Sequence, residues 1–412
     1  MSFSILALVL WGGAAVLAFL VVHRAALRAL WNEPVLAQPV LIVESDDWGP
    51  GPVADADALA GLASRLAAVR DQRGRPAVMT LGVVCSLPDG AAMLADGLAR
   101  YRRRALDAPE FAPMVEAMRG GCGAGVFALQ RHGMEHFWPD ALLARARVDA
   151  SLRDWLADPQ ARSEGLPSHL QSRWIDASVL PSRPLDPAAV QCAVDEEARL
   201  LECLFGAAPV VAVPNTFVWD DAVERAWAGS GVRCIVTPGR RIEGRDGQGA
   251  LMPPTRVIRN GERTAGGLMQ LVRDDYFEPI RGHRAEQVWQ AVAAKRRLGR
   301  PVLLETHRES FVGAAAVARA ANDELERALR GVLERHPDVR FLSTAELADE
   351  LAAAATGLVT GSLPHRVAVF LTRVEHEPAL RRFLKYSGLR FALAPVFLIA
   401  GVMHGRCAAR AR

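Results

Sequence analysis

VLIVESDDWGP, residues 40–50, is the stretch of this sequence that decides the fold. A short apolar run that ends directly in acidic residues is typical of a buried parallel strand reaching an active-site edge. We therefore predict a strand at Val40–Glu44, with Asp46 and Asp47 just beyond its end. Adjacent carboxylates repel each other unless a cation or a shared proton relieves them. A solvated turn is the competing interpretation, since Asp, Gly and Pro suit turns.

Similar apolar runs alternate with helical patterns along the chain. Further strands are predicted at Val78–Val84, Gly125–Leu129, Val210–Val213, Cys234–Thr237, Leu268–Val272, Val302–Glu305 and Arg340–Leu342. Helices are predicted at Ala54–Arg70, Ala188–Leu204, Asp220–Gly229, Ala285–Leu298 and Ala314–Arg335. This alternation predicts parallel β/α units, and their number favours an α/β fold of the barrel type. An open doubly wound sheet is the alternative.

The N-terminal segment, residues 1–24, is predicted to be a transmembrane anchor. Phe3–Val22 is uncharged and long enough to cross a bilayer as a helix. No Lys or Arg precedes this run, so a retained single-pass anchor is favoured over a cleaved signal peptide. Arg24 and Arg28 follow it, which favours the cytoplasmic side of the cell membrane for the main domain, although the side is left open.

Residues 34–355 are predicted to form the barrel, and residues 356–412 a basic C-terminal segment. Within that segment, Phe391–Met403 is uncharged and flanked by basic residues. A helix at an anionic membrane surface and a helix packed on the barrel are equally compatible with it. Leu166–Pro187 and Ile242–Arg263 are predicted to be long loops, since they are rich in Ser and Pro or in Gly and Arg.

Composition excludes some classes of protein. The chain has 412 residues and a net charge of +3, which is too small to indicate a nucleic-acid partner. Its 6 cysteines form no CxxC pair, so buried reduced thiols are favoured over a disulfide framework.

A second motif, HGMEH at residues 132–136, follows the third predicted strand. Histidines four residues apart lie on one face of a helical turn, so His132 and His136 can reach one cation. With a carboxylate such as Asp47 they would form a site of two histidines and one carboxylate. The spacing alone is weak, but its place at a strand end strengthens it.

The remaining candidates also follow strands. His307 could donate a proton to a leaving group, and the pair Asp274 and Asp275 could orient it and raise its pKa. Aromatic residues in the predicted loops could bind sugar rings by their flat faces, although packing beneath loops is at least as common. These aromatic residues are Trp48, Trp138, Trp219 and Tyr276.

The order of these motifs resembles the NodB-homology polysaccharide deacetylase family, of which this chain would be a divergent member. The family carries an Asp-Asp pair, then HxxxH, then Leu-x-His, and here the last reads Leu304-Glu305-Thr306-His307, one residue longer. The resemblance covers roughly residues 39–355 and implies a distorted (β/α) barrel. It also implies that Asp46 is the catalytic base, that Asp47, His132 and His136 bind the metal, and that His307 is the acid.

Two departures from the family pattern stand out. An Arg usually lies in the family's third motif, where this chain has Val213-Pro214-Asn215, so we expect Asn215 to hold the base instead. Trp48 separates Asp47 from Gly49 and looks inserted, and we expect it to narrow the space beside the metal.

The resemblance implies a metal-dependent amide hydrolase that removes acetyl groups from an N-acetylated sugar in a glycan. The expected cofactor is a divalent metal ion, with zinc favoured, and the expected partners are a carbohydrate, which the anchor suggests is lipid-linked, and the membrane. One alternative is a metal-independent glycoside hydrolase that uses Asp46 and Asp275. Another is an inactive glycan-binding barrel in a membrane-bound polysaccharide synthesis or export complex.

Overall fold

The structure is a computed structural model that describes residues 3–159, 161–353 and 357–394. Its strands are β1 (Val40–Trp48), β2 (Met79–Val83), β3 (Ser86–Pro88), β4 (Arg103–Ala105), β5 (Phe127–Arg131), β6 (Val211–Ala212), β7 (Cys234–Thr237), β8 (Arg240–Arg241), β9 (Arg256–Val257), β10 (Met269–Val272), β11 (Asp275–Tyr276), β12 (Val302–His307) and β13 (Arg340–Phe341). All eight predicted strands are present, with ends that differ from the prediction by at most a few residues.

The described residues also form helices, several of which pack on the outer side of this sheet. They are α1 (Phe3–Val22), α2 (Arg24–Asn32), α3 (Val53–Ala67), α4 (Gly90–Ala95), α5 (Ala112–Gly123), α6 (Pro139–Val148), α7 (Ala150–Ala157), α8 (Pro187–Phe205), α9 (Asp221–Gly229), α10 (Ala285–Arg297), α11 (Ala315–Arg335), α12 (Thr344–Ala352), α13 (Leu363–His376) and α14 (Pro378–Tyr386). The five predicted helices correspond to α3, α8, α9, α10 and α11.

The main sheet is parallel and follows the order of the chain. Its strands lie in the order β10-β7-β6-β5-β2-β1-β12-β11, and β13 also pairs with β1. A doubly wound sheet reverses its strand order at a switch point, whereas here successive strands stay neighbours around the sheet. No pairing joins β10 to β11 among the described residues, so the barrel is open there. The predicted distorted (β/α) barrel is therefore confirmed.

The alternating side chains of β1 explain why it lies at the centre of the fold. All nine of its residues are buried. Val40 and Ile42 pack inside the barrel with residues of the facing strands. Leu41 and Val43 pack outward in the larger core, which also contains apolar residues of α3, α10 and α11. Successive side chains of a strand point to opposite faces, so Glu44 and Asp46 continue the inner row.

The two ends of the chain meet beside the barrel. Arg373 of α13 is buried and donates hydrogen bonds to the carbonyl oxygen of Leu30 in the last turn of α2 and to those of Glu33 and Pro34 just beyond that helix. The backbone after the predicted boundary at residue 355 also returns to the barrel, since the amide of Ala37 donates to the carbonyl of Leu358 at 2.8 Å. The described part of the C-terminal segment, residues 357–394, thus contacts residues that precede β1.

The predicted anchor, Phe3–Val22, forms a helix. Among the described residues, no single helix is long and apolar enough to cross a membrane. Residues Leu10–Val22 and Arg24–Asn32 meet the criteria of length and composition together, with a bend of 67° between them. The membrane anchor therefore stays a prediction. The predicted helix at Phe391–Met403, at a membrane surface or packed on the barrel, lies mostly outside the described residues.

Candidate metal centre

The first part of the site is a β-bulge at the end of β1. Ser45 pairs with Leu81 of β2 and Trp48 pairs with Val83, so three steps on β1 oppose two on β2. Asp47 is the residue with left-handed backbone in this bulge, with φ of 69°. A bulge shifts the alternation of side chains by one position. Asp47 therefore points into the site together with Asp46, and the indole of Trp48 points into the outer core.

The second part is the loop that carries the two histidines. Residues 132–136 form a bend after β5 and not the helical turn that the HxxxH spacing predicts. Gly133 has φ of +97°, and a Cβ atom there would lie 2.6 Å from the carbonyl oxygen of Glu135. Glu135 fixes the loop to the surrounding structure. Its fully buried carboxylate accepts a hydrogen bond from the hydroxyl of Ser86 and makes ion pairs with Arg103 and Arg173.

Three buried side chains converge where these parts meet. One ligand atom each of Asp47, His132 and His136 lies within 4.8 Å of the others. Asp47 Oδ1 is 3.3 Å from Nε2 of His132 and 3.2 Å from Nε2 of His136. The carbonyl oxygen of Val213 lies 3.0 Å from Nδ1 of His132, which leaves Nε2 of that imidazole for a metal ion. The structure thus brings together all three predicted ligands.

The chemistry of this donor set fits a divalent cation. Although two imidazole nitrogens lie close to it, Asp47 Oδ1 makes no hydrogen bond of good geometry with any described residue. A buried carboxylate oxygen without such a partner is costly unless a cation binds it. Two imidazoles and one carboxylate leave further coordination positions open, which is typical of catalytic sites for zinc and other transition metals.

The pKa shifts of Asp47 and His136 favour that role, whereas the shift of His132 opposes it in the absence of a metal ion. Burial raises the pKa of Asp47, but the adjacent imidazoles of His136 and His132 outweigh it and hold the pKa well below the ordinary value. Burial lowers the pKa of His136 to about 4, so this imidazole is neutral. Burial also lowers the pKa of His132, but the charges of Asp46 and Asp47 outweigh it and raise it. A metal ion binds the neutral imidazole, so it would compete with a proton for His132.

Asp46 is held by an arginine that the sequence analysis did not assign. Arg273 Nη2 lies 2.6 Å from Asp46 Oδ2, and its Nη1 lies 2.9 Å from Glu44 Oε2. Burial raises the pKa of Asp46, but Arg273 and His132 outweigh it, so the carboxylate is ionised. A Cβ atom at Gly82 would lie 2.3 Å from Asp46 Oδ1, so only glycine leaves room for this carboxylate.

The expectation that Asn215 holds the base is wrong. Its side-chain amide instead donates to the carbonyl oxygen of His132 at 2.8 Å, so it supports the histidine loop. Arg273 replaces it because the chain leaves β10 at Val272 and enters β11 at Asp275, which places Arg273 in the opening of the barrel. The position of Arg273 directly after the predicted strand Leu268–Val272 is a local signal in the sequence, but it does not indicate which carboxylate the arginine holds.

His307 lies beside Asp46 on the neighbouring strand β12. The two residues are partners in the pairing of β1 with β12. Nδ1 of His307 lies 2.8 Å from Oε2 of Glu278, a fully buried carboxylate that also accepts from the hydroxyls of Thr306 and Ser310. Burial lowers the pKa of His307, but the hydrogen bond with Glu278 and the charges of Asp47 and Asp46 raise it to about 9.

The carboxylate pair predicted to orient His307 lies elsewhere. Asp274 makes an ion pair with Lys295, and Asp275 lies 3.4 Å from the same ammonium group. The orienting role belongs to Glu278, because the backbone turns after β11 and brings that residue, and not the Asp pair, beneath the imidazole. Glu278 lies in a segment of turn-forming residues (FEPI), where the sequence gives no periodic signal that would indicate it.

The four predicted sugar-binding aromatics differ in exposure. Trp48 and Trp219 are fully buried, and each indole nitrogen donates to a buried side chain, so neither ring face can contact a ligand. The guanidinium of Arg173 lies 5.9 Å from the ring centre of Trp138, outside the cavities at the metal ligands. Tyr276 is 38% exposed, and its ring centre lies 6.1 Å from that of His307. Of the four, Tyr276 lines the site.

Two cavities open beside the metal ligands, and both are lined by Asp47 and His136. The polar cavity has a volume of about 360 Å³ and contains Asp46, His132, Arg273, Tyr276 and His307. The apolar cavity has a volume of about 510 Å³ and extends beneath the loops that follow β1 and β2. The predicted base, acid and metal ligands thus all lie in the polar cavity.

Comparison with known proteins gives matches to solved structures alone. No family model matches the chain, and no curated protein matches it. A candidate polysaccharide deacetylase from Mycobacterium smegmatis is 13% identical, with 80% of this chain and 99% of that chain covered and a TM-score of 0.37. A family 4 carbohydrate esterase from Streptomyces lividans in complex with acetate is 12% identical, with 73% of this chain and 91% of that chain covered and a TM-score of 0.33. A candidate glycoside hydrolase/deacetylase from Parabacteroides distasonis is 9% identical, with 77% of this chain and 72% of that chain covered and a TM-score of 0.42.

These structures are of the type of enzyme that the motifs resemble. At such identities and TM-scores, the likeness by itself gives no information about the activity of this chain. Its function has to be derived from the residues of its own site.

Proposed function

We propose that this chain is a metal-dependent amide hydrolase that removes the N-acyl group, acetyl in the simplest case, from an amino sugar of a glycan. The observation that carries the proposal is the arrangement within one cavity of a three-residue metal site, an ionised carboxylate and a protonated imidazole. Hydrolysis of an amide needs a base for the attacking water and an acid for the leaving amine.

The three ligands and the base have separate tasks. Asp47, His132 and His136 would hold the ion, and zinc suits this donor set. A divalent cation supplies Lewis acidity, which polarises an amide carbonyl and makes water easier to deprotonate. Asp46 accepts the proton of the attacking water, whose oxygen forms the new bond to the carbonyl carbon. Arg273 fixes the Asp46 carboxylate in position at 2.6 Å and keeps it ionised.

His307 completes the reaction as the acid. Its imidazolium, held by Glu278 through Nδ1, presents Nε2 to the cavity and donates a proton to the amine nitrogen as the carbon–nitrogen bond breaks. A pKa of about 9 keeps the imidazole protonated at neutral pH. The products are a carboxylic acid and a free amino sugar.

The substrate and location follow from weaker observations and are part of the proposal. Tyr276 offers a half-exposed aromatic face beside the acid, which suits a sugar ring. The bent pair of N-terminal helices supports attachment to the cell membrane, and a lipid-linked glycan would suit an enzyme held there.

The glycoside hydrolase alternative has less support. It needs a second free carboxylate facing Asp46, and Asp275 is engaged by Lys295. The inactive glycan-binding barrel remains as an outcome of the test.

The experiment is release of acetate from a panel of N-acetylated glycans by the full chain loaded with zinc. We expect turnover that is lost on chelation and restored by metal, and lost by at least 100-fold in Asp46→Asn. Asp274→Asn is the matched control, because Asp274 makes an ion pair with Lys295 and does not line the polar cavity. This variant should keep the activity of the wild type.

Metal content separates the possible failures. Asp46→Asn should keep its metal, because Asp46 is not among the three ligands. Turnover that survives chelation would contradict the proposal. Glycan binding without turnover, equal in wild type and Asp46→Asn, would show an inactive binding protein instead.

A further inference from the structure

The apolar cavity is not explained by removal of an acetyl group. It adjoins the metal site directly, since Asp47 and His136 line it as well as the polar cavity. Its volume of about 510 Å³ falls in the range that encloses drug-sized ligands. The methyl group of an acetyl substituent would leave nearly all of this space empty. A cavity of this size beside the reacting centre therefore suits a larger substituent.

The walls of this cavity indicate the chemistry of that substituent. They include the side chains of Val84, Leu87, Phe111, Phe137 and Trp155. Phe111 and Phe137 are 3% and 2% exposed, so their positions are fixed by the core. Apolar walls of this kind bind hydrocarbon, because contact removes apolar surface of both partners from water.

The charged residues at the cavity do not favour an anion. Its three arginines are all paired with carboxylates, at nitrogen–oxygen distances of 2.8 Å for Arg104–Glu110, 3.0 Å for Arg162–Asp55 and 3.5 Å for Arg308–Glu164. Paired charges leave no surplus positive charge that would attract a phosphate or a carboxylate. The cavity therefore selects for an uncharged apolar group.

The direction of the reaction assigns this group to one side of the amide. His307 must lie beside the leaving nitrogen, so the amino sugar occupies the polar cavity, where His307 and Tyr276 are found. His307 does not line the apolar cavity. The acyl carbon carries its substituent on the side of the carbonyl opposite to the nitrogen, and from the shared residues Asp47 and His136 that side leads into the apolar cavity.

We propose that the acyl group removed by this chain is longer than acetyl, an aliphatic chain that occupies the apolar cavity while the amino sugar occupies the polar one. This inference rests on the proposed amide hydrolysis and names its substrate class. Burial of each added methylene then strengthens binding of substrate and transition state alike, which raises kcat/KM through KM and leaves kcat nearly constant.

The experiment measures hydrolysis of the methyl glycosides of N-acetyl-, N-butanoyl- and N-octanoyl-glucosamine by the zinc-loaded full chain in lipid nanodiscs, without detergent. We expect kcat/KM to rise roughly fourfold for each added methylene until the cavity is filled. A second measurement, independent of turnover, is calorimetric binding of the products acetate and octanoate. Octanoate should bind at least about 10-fold more tightly than acetate.

A matched pair of variants locates the effect. Val53 lines the mouth of the apolar cavity and is 56% exposed, whereas Val317 is 43% exposed on α11 and lines neither cavity. Val53→Trp should reduce the octanoyl-to-acetyl ratio of kcat/KM and the preference for octanoate by at least about 10-fold. Val317→Trp should leave both ratios as in the wild type.

The outcomes distinguish this inference from the proposed function. Hydrolysis of the acetyl substrate without any gain from longer chains would overturn the inference and keep the amide hydrolase. Failure to hydrolyse any of the three amides would overturn the proposed function, and the inference with it.

Discussion

Replacement of Glu278 by glutamine tests whether His307 is the acid of the reaction. Glutamine keeps the shape of the side chain but removes the negative charge 2.8 Å from Nδ1 of His307. Burial lowers the pKa of this imidazole, and the bond to Glu278 and the charges of Asp47 and Asp46 raise it to about 9. The hydrogen bond with Glu278 is the largest of the causes that raise this pKa.

The size of the effect follows from that one bond. A hydrogen bond to a charged group contributes about 1.5–3 kcal/mol, which at 1.36 kcal/mol per unit corresponds to about 1–2 units of pKa. Because the acid must be protonated, activity falls as pH rises through the pKa of His307. We therefore expect the basic limb of the kcat/KM profile to move down by about 1–2 pH units in Glu278→Gln.

The assay is a pH–rate profile of kcat/KM, accompanied by NMR titration of the His307 imidazole. Glu309→Gln is the control, because Glu309 lines the same cavity but pairs with Arg281.

Stability gives a third measurement. The raised pKa of His307 supplies stability that is complete below pH 6.5 and is lost as pH rises through about 9, so the urea-unfolding deficit of Glu278→Gln should shrink over this window. An unchanged basic limb and an unchanged titration of His307 would refute the assignment.

Three further predictions concern the metal and the core. The wild type should bind about one equivalent of zinc by mass spectrometry and the His132→Ala/His136→Ala variant none, and equal metal content would contradict the site. Arg273→Ala leaves buried carboxylates unpaired and should lower the free energy of unfolding in urea by about 3–5 kcal/mol. The control Arg233→Ala, at an exposed ion pair, should lose at most about 1 kcal/mol, and similar losses in both would refute this view. Trp48→Ala should cost about 3–5 kcal/mol, because the indole fills the core, and a loss below about 1 kcal/mol would contradict its burial.

The strands and the metal ligands could be predicted because their physical signals are local. The run Val40–Val43 is apolar on both faces, which identifies a buried parallel strand before any partner is known. Carboxyl ends of parallel strands meet at one edge of the barrel, so Asp47 and the histidines at 132 and 136 are brought together by topology. Each ligand therefore needs only its own strand to be recognised.

The partners of the catalytic side chains depend on tertiary contacts and were missed. Arg273 reaches Asp46 because the barrel is open between β10 and β11, and no pattern in either strand indicates that opening. Glu278 reaches His307 from a turn, where the sequence has no hydrophobic periodicity that would predict the direction of its side chain. Trp48 was expected beside the metal and the substrate because it lies in a predicted loop directly after Asp47, but the bulge at Asp47 turns its indole into the core.

The pairing of β1 with strands from both ends of the chain has a consequence for the order of folding. β1 pairs with β2, its neighbour in sequence, and also with β12 and β13 near the other end. The entropic cost of closing a loop grows with its length, and a ribosome releases the N-terminal part first. All three metal ligands precede residue 140, whereas His307 arrives with β12. In the proposed mechanism, a nascent chain therefore contains all three metal ligands well before it contains the acid, so the residues for binding the ion and the residue that completes turnover are synthesised at separate times.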